Sequence, residues 1–227
     1  MSTRHFAVIG LGNFGSNLAV KLAELGCEVL AIDRSSATIE KIKDYVSEAV
    51  TVDAMDRRAL ETLGVPDVDC AVVSLGDRVD TSILLTLYLK EMGVKEIVVK
   101  AVSEDHERIL KMIGATDVVF PERDTAVKTA YTLANPNILD KTYLAEGFSI
   151  VEITPPKSFV GKTLAELGIR TRFNIEVVAI KSMQNGSGQR PRVTIVPSAS
   201  YRLKQDDVMV VIASEEGLDR FHQQVGE

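Results

Sequence analysis

The sequence is poor in the side chains that most catalysis and most membrane anchoring would need. It holds two cysteines in 227 residues. Cys27 and Cys70 lie far apart, each beside an apolar run, so they read as small packing hydrophobes in a reducing compartment. Three histidines, His5, His106 and His222, with two separated cysteines, do not supply a zinc site at ordinary ligand spacing. All three histidines are expected at the surface. No apolar run approaches the ~20 residues that cross a bilayer, and Met1 to His5 is not a basic segment leading into an apolar core. Neither a membrane span nor a signal peptide is expected, which points to a cytoplasmic protein. The formal net charge is -6, and there is no basic stripe to neutralise phosphates, which argues against a nucleic-acid binder.

What the chain does have is core. With 45% hydrophobic residues, its length suits one large or two modest domains. Short runs rich in Val and Ile occur at Phe6–Ile9, Val29–Ile32, Ala49–Val52, Cys70–Val73, Ile97–Val99 and Val118–Phe120, each too short for a buried helix and readable as a strand covered on both faces. Helical spacing fills the gaps at Asn13–Leu25, Ala37–Tyr45, Arg57–Leu63, Thr81–Met92 and Glu104–Ile113. Alternation of this kind implies right-handed crossovers and a doubly wound parallel sheet, six strands wide, in an α/β fold. Pro121 then opens a further helix, with Glu122 and Asp124 in its first turn, that runs to Ala134 and stops at "NPN". With no strand read directly after it, this helix is expected to form a crossover arm. From Gly147 the pattern becomes strand (Phe148–Ile153), short helix (Leu164–Leu167), strand (Ile175–Lys181), a "QNGSGQRP" hairpin loop, strand (Val193–Val196), strand (Val208–Ala213) and a terminal helix. The expected division is 1–137 for the Rossmann-like domain with its arm and 138–227 for a small α+β domain.

The sharpest motif is G-x-G-x-x-G at Gly10, Gly12 and Gly15, directly after the first strand and opening a helix. In that setting the first glycine makes the turn, the second lets the backbone approach a pyrophosphate and the third lets helix pack on strand, while the helix N-terminus presents free N–H groups to the anion. Asn13 and Phe14 stand between the second and third glycines. Asp33, at the end of the second strand and followed by Arg34, lies at the spacing at which a carboxylate binds ribose hydroxyls. Because ligands of open α/β sheets bind beyond the C-terminal strand ends, further candidates are Asp53 and Ala54, then Ser74, Leu75 and Gly76, then Lys100, then Glu122. Asp53 also suits a helix N-cap, and Lys100 a solvated strand end. Asp77 and Asp80 read as acids of a first helical turn.

A dehydrogenase would add an acid or base beside the nicotinamide. None of the five tyrosines has lysine four residues on, and the second domain shows no clustered carboxylates and no Ser or Cys nucleophile beside a base. The nucleotide therefore reads as a signal. A small NAD-dependent oxidoreductase stays open as the alternative, and a redox-reading repressor would need a winged helix and a basic face that are not seen.

"FAVIGLGNFGSNLAVKLAELGCEVLAID" (Phe6–Asp33), "VSLGD" (Val73–Asp77), "VVKA" (Val98–Ala101), "IGATDVVFPERDTA" (Ile113–Ala126), "LAELGIRTRFNIEVVAIK" (Leu164–Lys181) and "YRLKQDDVMVVIAS" (Tyr201–Ser214) together resemble the regulatory RCK subunits of Trk and Ktr potassium-uptake systems. The resemblance covers nearly the whole chain. It implies dimers assembled into an eight-membered ring, docked on the cytoplasmic face of a membrane-embedded potassium translocator and changing shape with the bound nucleotide. It also implies roles: Asp33 on the ribose, Asp53 and Ala54 beside the adenine, Gly12 and Asn13 facing phosphates, Lys100 lining the crevice, and Glu122 near the dimer seam, where Mg or another cation beside the phosphates would be held. ATP-sensing relatives often place Arg where this chain has Asn13. A neutral amide cannot neutralise a terminal phosphate, so the expected ligand moves toward NAD(H) or ADP. Some relatives bind cyclic di-AMP in the C-terminal domain, which points to Arg170–Asn174 and Pro197.

Overall fold

A computed structural model describes residues 3–182 and 192–225; the whole "QNGSGQRP" loop lies outside the described residues. The chain divides into two compact units, Met1–Arg123 and Asp124–Glu227.

The first unit is a six-stranded sheet in the order β3-β2-β1-β4-β5-β6, built from β1 (His5–Ile9), β2 (Glu28–Asp33), β3 (Glu48–Thr51), β4 (Cys70–Val73), β5 (Glu96–Lys100) and β6 (Asp117–Val119). Every pairing is parallel. The continuous apolar runs are explained by what each face meets. Ala7, Ile9, Ile32 and Val73 enter one core, with Leu60, Leu85 and Leu110 from the helices on that side. Val8, Ala31 and Val72 enter the other, with Ala19 and Ile39. Alternate residues of each strand thus serve opposite layers, and both must be apolar. The covering helices are α1 (Asn13–Glu24), α2 (Ser36–Ile42), α3 (Arg57–Thr62), α4 (Val79–Glu91) and α5 (Glu104–Ile113). Strand order runs outward from β1 in one direction and from β4 in the other, so the switch point falls between these two strands.

α6 (Pro121–Ala134) follows as expected, with no buried residue. The reading of it as an arm with no strand behind it needs correction, because β7 (Ile138–Ala145) begins a few residues later. Of β7, only Ile138 is buried. An edge strand carrying Asp140 and Lys141 lacks the alternation that would announce it.

The second unit is a five-stranded antiparallel sheet in the order β10-β9-β11-β8-β7, adding β8 (Phe148–Ile153), β9 (Ile175–Ser182), β10 (Arg192–Ile195) and β11 (Asp207–Ser214). α7 (Leu164–Leu167) is held by a capping box between Thr163 and Glu166. It is followed by α8 (Ile169–Phe173), which the sequence pattern did not announce, and the chain closes with α9 (Glu215–Val225). Phe221 of α9 meets Phe159 and Phe173 edge to face, with ring centroids 5.7 and 5.3 Å apart, and these rings sit at the centre of the second core.

Candidate functional site

The site begins where β1 ends at Ile9 and the chain turns through Gly10–Gly12 into α1. The three glycines have different physical reasons. Gly10 sits at φ +93°, and a Cβ there would lie 2.3 Å from the carbonyl oxygen of Ser74; the turn itself demands glycine. A Cβ on Gly15 would lie 2.0 Å from the carbonyl oxygen of Gly10, so helix and loop touch at that point. Gly12 is under neither demand. Its φ is -64°, and a Cβ would meet nothing within 4 Å. The fold accounts for the first and third glycines, and no neighbour within the described residues requires the second.

The loop is held rigid. Asp33 Oδ2 accepts from the Leu11 amide and Oδ1 from the Ser35 amide, both at 2.8 Å. Ser16 Oγ donates to the Leu11 carbonyl at 2.7 Å. The Gly10 amide donates to the Ile32 carbonyl and the Ser74 amide to the Ile9 carbonyl, both at 2.8 Å, which locks the ends of β2, β1 and β4 together. Asp33 therefore clamps the glycine loop to the turn before α2. A carboxylate offers about four acceptor sites, so two remain for a ligand hydroxyl.

Around this loop lies a cleft of about 370 Å³. It is lined by Gly10, Gly12, Asp33, Arg34, Asp53, Ala54, Ser74, Leu75 and Gly76 among the expected residues. Asn13 borders an adjoining cleft of about 490 Å³ between α1 and α2, which shares Leu11, Gly12 and Thr38 with the first and carries Lys41 and Tyr45. Phe14, Gly15, Lys100 and Glu122 line neither. Lys100 and Glu122 pair with each other, and hydrogen bonding to the Lys100 ammonium holds the Glu122 carboxyl below its usual range. The N-cap role considered for Asp53 falls to Asp56, whose side chain accepts from the Ala59 amide, while Asp53 Oδ1 accepts from Met55 at 2.9 Å in a local turn. Sequence reasoning missed Ile9, Leu11, Ile32, Ser35, Thr38, Val52 and Arg78 in the lining. Ile9, Leu11, Ile32, Ser35 and Val52 adjoin residues already chosen, and Thr38 lies in α2. Arg78 lies at the entrance to α4, beyond the strand-end residues that the sheet rule selects.

The remaining chemistry is quiet. Burial pushes the Cys70 thiol up to about 11, so it is no nucleophile at neutral pH. His106 corrects an expectation: it is 2% exposed rather than at the surface, because capping of α5 by Ser103 puts it on the same inward face as Leu110. Burial lowers its pKa, and neither ring nitrogen has a hydrogen-bond partner. His222 is half-buried. Among the described residues, no group of three or more His, Cys, Asp or Glu is placed to hold a metal ion, and no helix is long and apolar enough to cross a membrane.

Sheet order, switch-point cleft and glycine loop define a Rossmann-type nucleotide-binding domain followed by a small α+β domain. The TrkA-N domain family matches residues 6–121 and the TrkA-C domain family residues 148–226, leaving β7 and all of α6 after Pro121 outside both. The chain is 38% identical over 222 residues to Ktr system potassium uptake protein C of Bacillus subtilis (strain 168), covering 98% of this chain and 97% of that protein. It is 30% identical over 221 residues to Ktr system potassium uptake protein A of the same organism, covering 97% and 96%. Among solved structures, the GsuK channel bound to NAD aligns over the whole chain and 40% of its own, at 18% identity and a TM-score of 0.66. GsuK bound to ADP aligns over 59% of this chain and 34% of its own, at 25% identity and a TM-score of 0.51. The chain thus spans less than half the length of those solved chains. It belongs to the Trk/Ktr family of potassium-uptake proteins, as an RCK subunit.

Proposed function

We propose that this chain is a cytoplasmic, nucleotide-responsive regulatory subunit that gates a membrane-embedded potassium translocator and does not itself catalyse a reaction. The observation that carries the reading is Gly12: a glycine that the fold does not require, opening onto a cleft that Asp33 also lines. An adenine nucleotide fits this arrangement, with the ribose on Asp33, the adenine beside Asp53 and Ala54, and the phosphates over Gly12 and the start of α1. The NAD and ADP named for GsuK, and the full-length likeness to two Ktr proteins, support the same assignment.

Assembly follows from what the fold leaves open. Val127 is 66% and Leu133 77% exposed on α6, which supports pairing with a second copy and, through dimers, an eight-membered ring on the cytoplasmic face of the membrane. The functional boundary then falls after α6, at 137/138. Glu122 is the candidate for holding Mg or another cation beside the phosphates, at a seam between copies. In the second unit a smaller cleft brings together Arg170, Ile175, Pro197 and Ala199, with Arg170 paired to Glu176 at 3.0 Å; this is the candidate place for cyclic di-AMP.

Calorimetry of the chain against ATP, ADP, NAD, NADH and cyclic di-AMP tests the site. Co-purification from detergent-solubilised membranes tests the partner. Binding of an adenine nucleotide together with retention of a potassium translocator is the expected result. Turnover of NADH with carbonyl substrates, and no membrane partner, would overturn it.

A further inference from the structure

The sheet order places three strand ends side by side at the cleft: β2 with Asp33, β1 with the glycine loop, β4 with Ser74. Neighbouring strands are about 5 Å apart. A nucleotide lying with its ribose at β2 carries its first phosphates across the end of β1, and anything beyond them arrives at the end of β4. The wall met there is Ser74, Leu75, Gly76 and Arg78.

The charges along that path are few. Asn13 is uncharged, and the first turn of α1 carries no acid and no base. Arg34 lies on the β2 side, next to Asp33, and is exposed. On the β4 side Arg78 is the charged residue of the lining. It is half-buried. Among the described residues its guanidinium makes no hydrogen bond, ion pair or ring contact, although Asp77 and Asp80 flank it in sequence. Several other arginines find partners, Arg4 with Glu96, Arg57 with Glu91 and Arg220 with Glu216, while Arg34 and Arg58, which have none among the described residues, are exposed. A half-buried guanidinium left unpaired at the mouth of a cleft has its planar set of donors available to an anion.

We propose that Arg78 reads the negative charge at the far end of the bound nucleotide and makes the cleft prefer a nucleoside triphosphate over the diphosphate. The inference rests on the assignment of the cleft to an adenine nucleotide. It moves the deciding cation from the start of α1, where Asn13 supplies none, to the turn before α4. Only the third phosphate reaches beyond the glycine loop to β4, so only the triphosphate gains the charge-assisted contact.

The test is calorimetry of the full chain with ADP and with ATP, for the parent and for Arg78→Gln, Arg78→Lys and Arg34→Gln. The parent is expected to bind ATP more tightly than ADP. Arg78→Gln should weaken ATP roughly tenfold, the value of one partly solvated charged hydrogen bond, and ADP about twofold or less. Arg78→Lys should keep part of the preference, because it keeps the charge. The ATP preference of the parent should shrink as salt rises, and that of Arg78→Gln should not. A parent without preference for ATP, equal losses for both nucleotides in Arg78→Gln, or a collapse of the preference in Arg34→Gln instead would overturn the inference while leaving the nucleotide site intact. A parent that binds neither nucleotide overturns the site assignment itself, and the inference with it.

Discussion

Asp33 and Asp207 occupy comparable positions, one at the end of a strand in the first unit and one at the start of a strand in the second, yet they are spent differently. Asp33 is half-buried and binds two backbone amides of its own turn, leaving acceptor capacity on a cleft. Asp207 is 1% exposed and takes three donors from within its own unit, accepting from Ser182 Oγ at 2.7 Å, Tyr201 OH at 3.1 Å and the Lys204 amide at 2.9 Å. A buried carboxylate that finds this many donors stabilises its unit, and a clamped but unsaturated one at a strand end is available to a ligand. The glycines repeat the lesson inside one loop, where Gly10 answers to the fold and Gly12 to open space.

The largest effect is expected where the fold itself is contradicted. Gly10→Ala forces a Cβ against the Ser74 carbonyl at a φ that L residues rarely adopt, and should cost about 3–5 kcal/mol. The measurement is thermal or denaturant unfolding. A loss under ~1 kcal/mol would mean that the loop relaxes, and that the contrast between the two glycines is false. Gly12→Val makes the opposite demand. Stability should change little, since the site is open, while nucleotide affinity should fall about 100-fold or more, ~2.7 kcal/mol, because a branched side chain fills the space over which the phosphates lie. Unchanged affinity in a folded Gly12→Val protein would place the phosphates elsewhere.

Asp207→Ala tests the other side of the comparison. Three donors lose their acceptor in a buried position, which should destabilise the second unit by about 2 kcal/mol, with adenine-nucleotide affinity unaltered at a temperature where the protein remains folded. A drop in affinity there would tie Asp207 to the cleft and end the distinction from Asp33.

How much of this was legible follows from how locally each feature is encoded. The inner parallel strands could be read because both of their faces are covered, which writes an unbroken apolar run into a few residues, and the edge strands β3 and β6 keep a shorter, half-buried run. The glycine loop was legible because its spacing and its place after a strand are both local. β7 was not, since one buried residue, Ile138, and the half-buried charges Asp140 and Lys141 give no period. His106 was placed at the surface because its neighbours Glu104, Asp105 and Glu107 are polar, yet the cap at Ser103 sets which face turns inward. Arg78 was missed for a different reason: the strand-end rule selects a position in the sheet, and the cleft also takes in a residue at the entrance to the following helix.

The smallest expected effect is at Asn13. It borders the cleft next to the one that Asp33 faces, and its carbonyl accepts from Asn17 Nδ2 at 2.7 Å, so its side chain is not needed to hold the loop. Asn13→Arg adds a cation at the start of α1. If the phosphates cross that point, ATP and ADP should both gain about 1 kcal/mol, roughly fivefold, from a solvated charged hydrogen bond. The gain should fall as salt rises, because such a contact is screened over about 8–10 Å at physiological ionic strength. Equal gains would mark this position as facing the inner phosphates and leave the distinction between ATP and ADP to the β4 wall. A gain for ATP alone would mean that the terminal phosphate turns back toward α1, away from Arg78. Measured in one calorimetric series with Arg78→Gln, the two substitutions report on opposite ends of the phosphate chain, and their effects should add if those ends are independent.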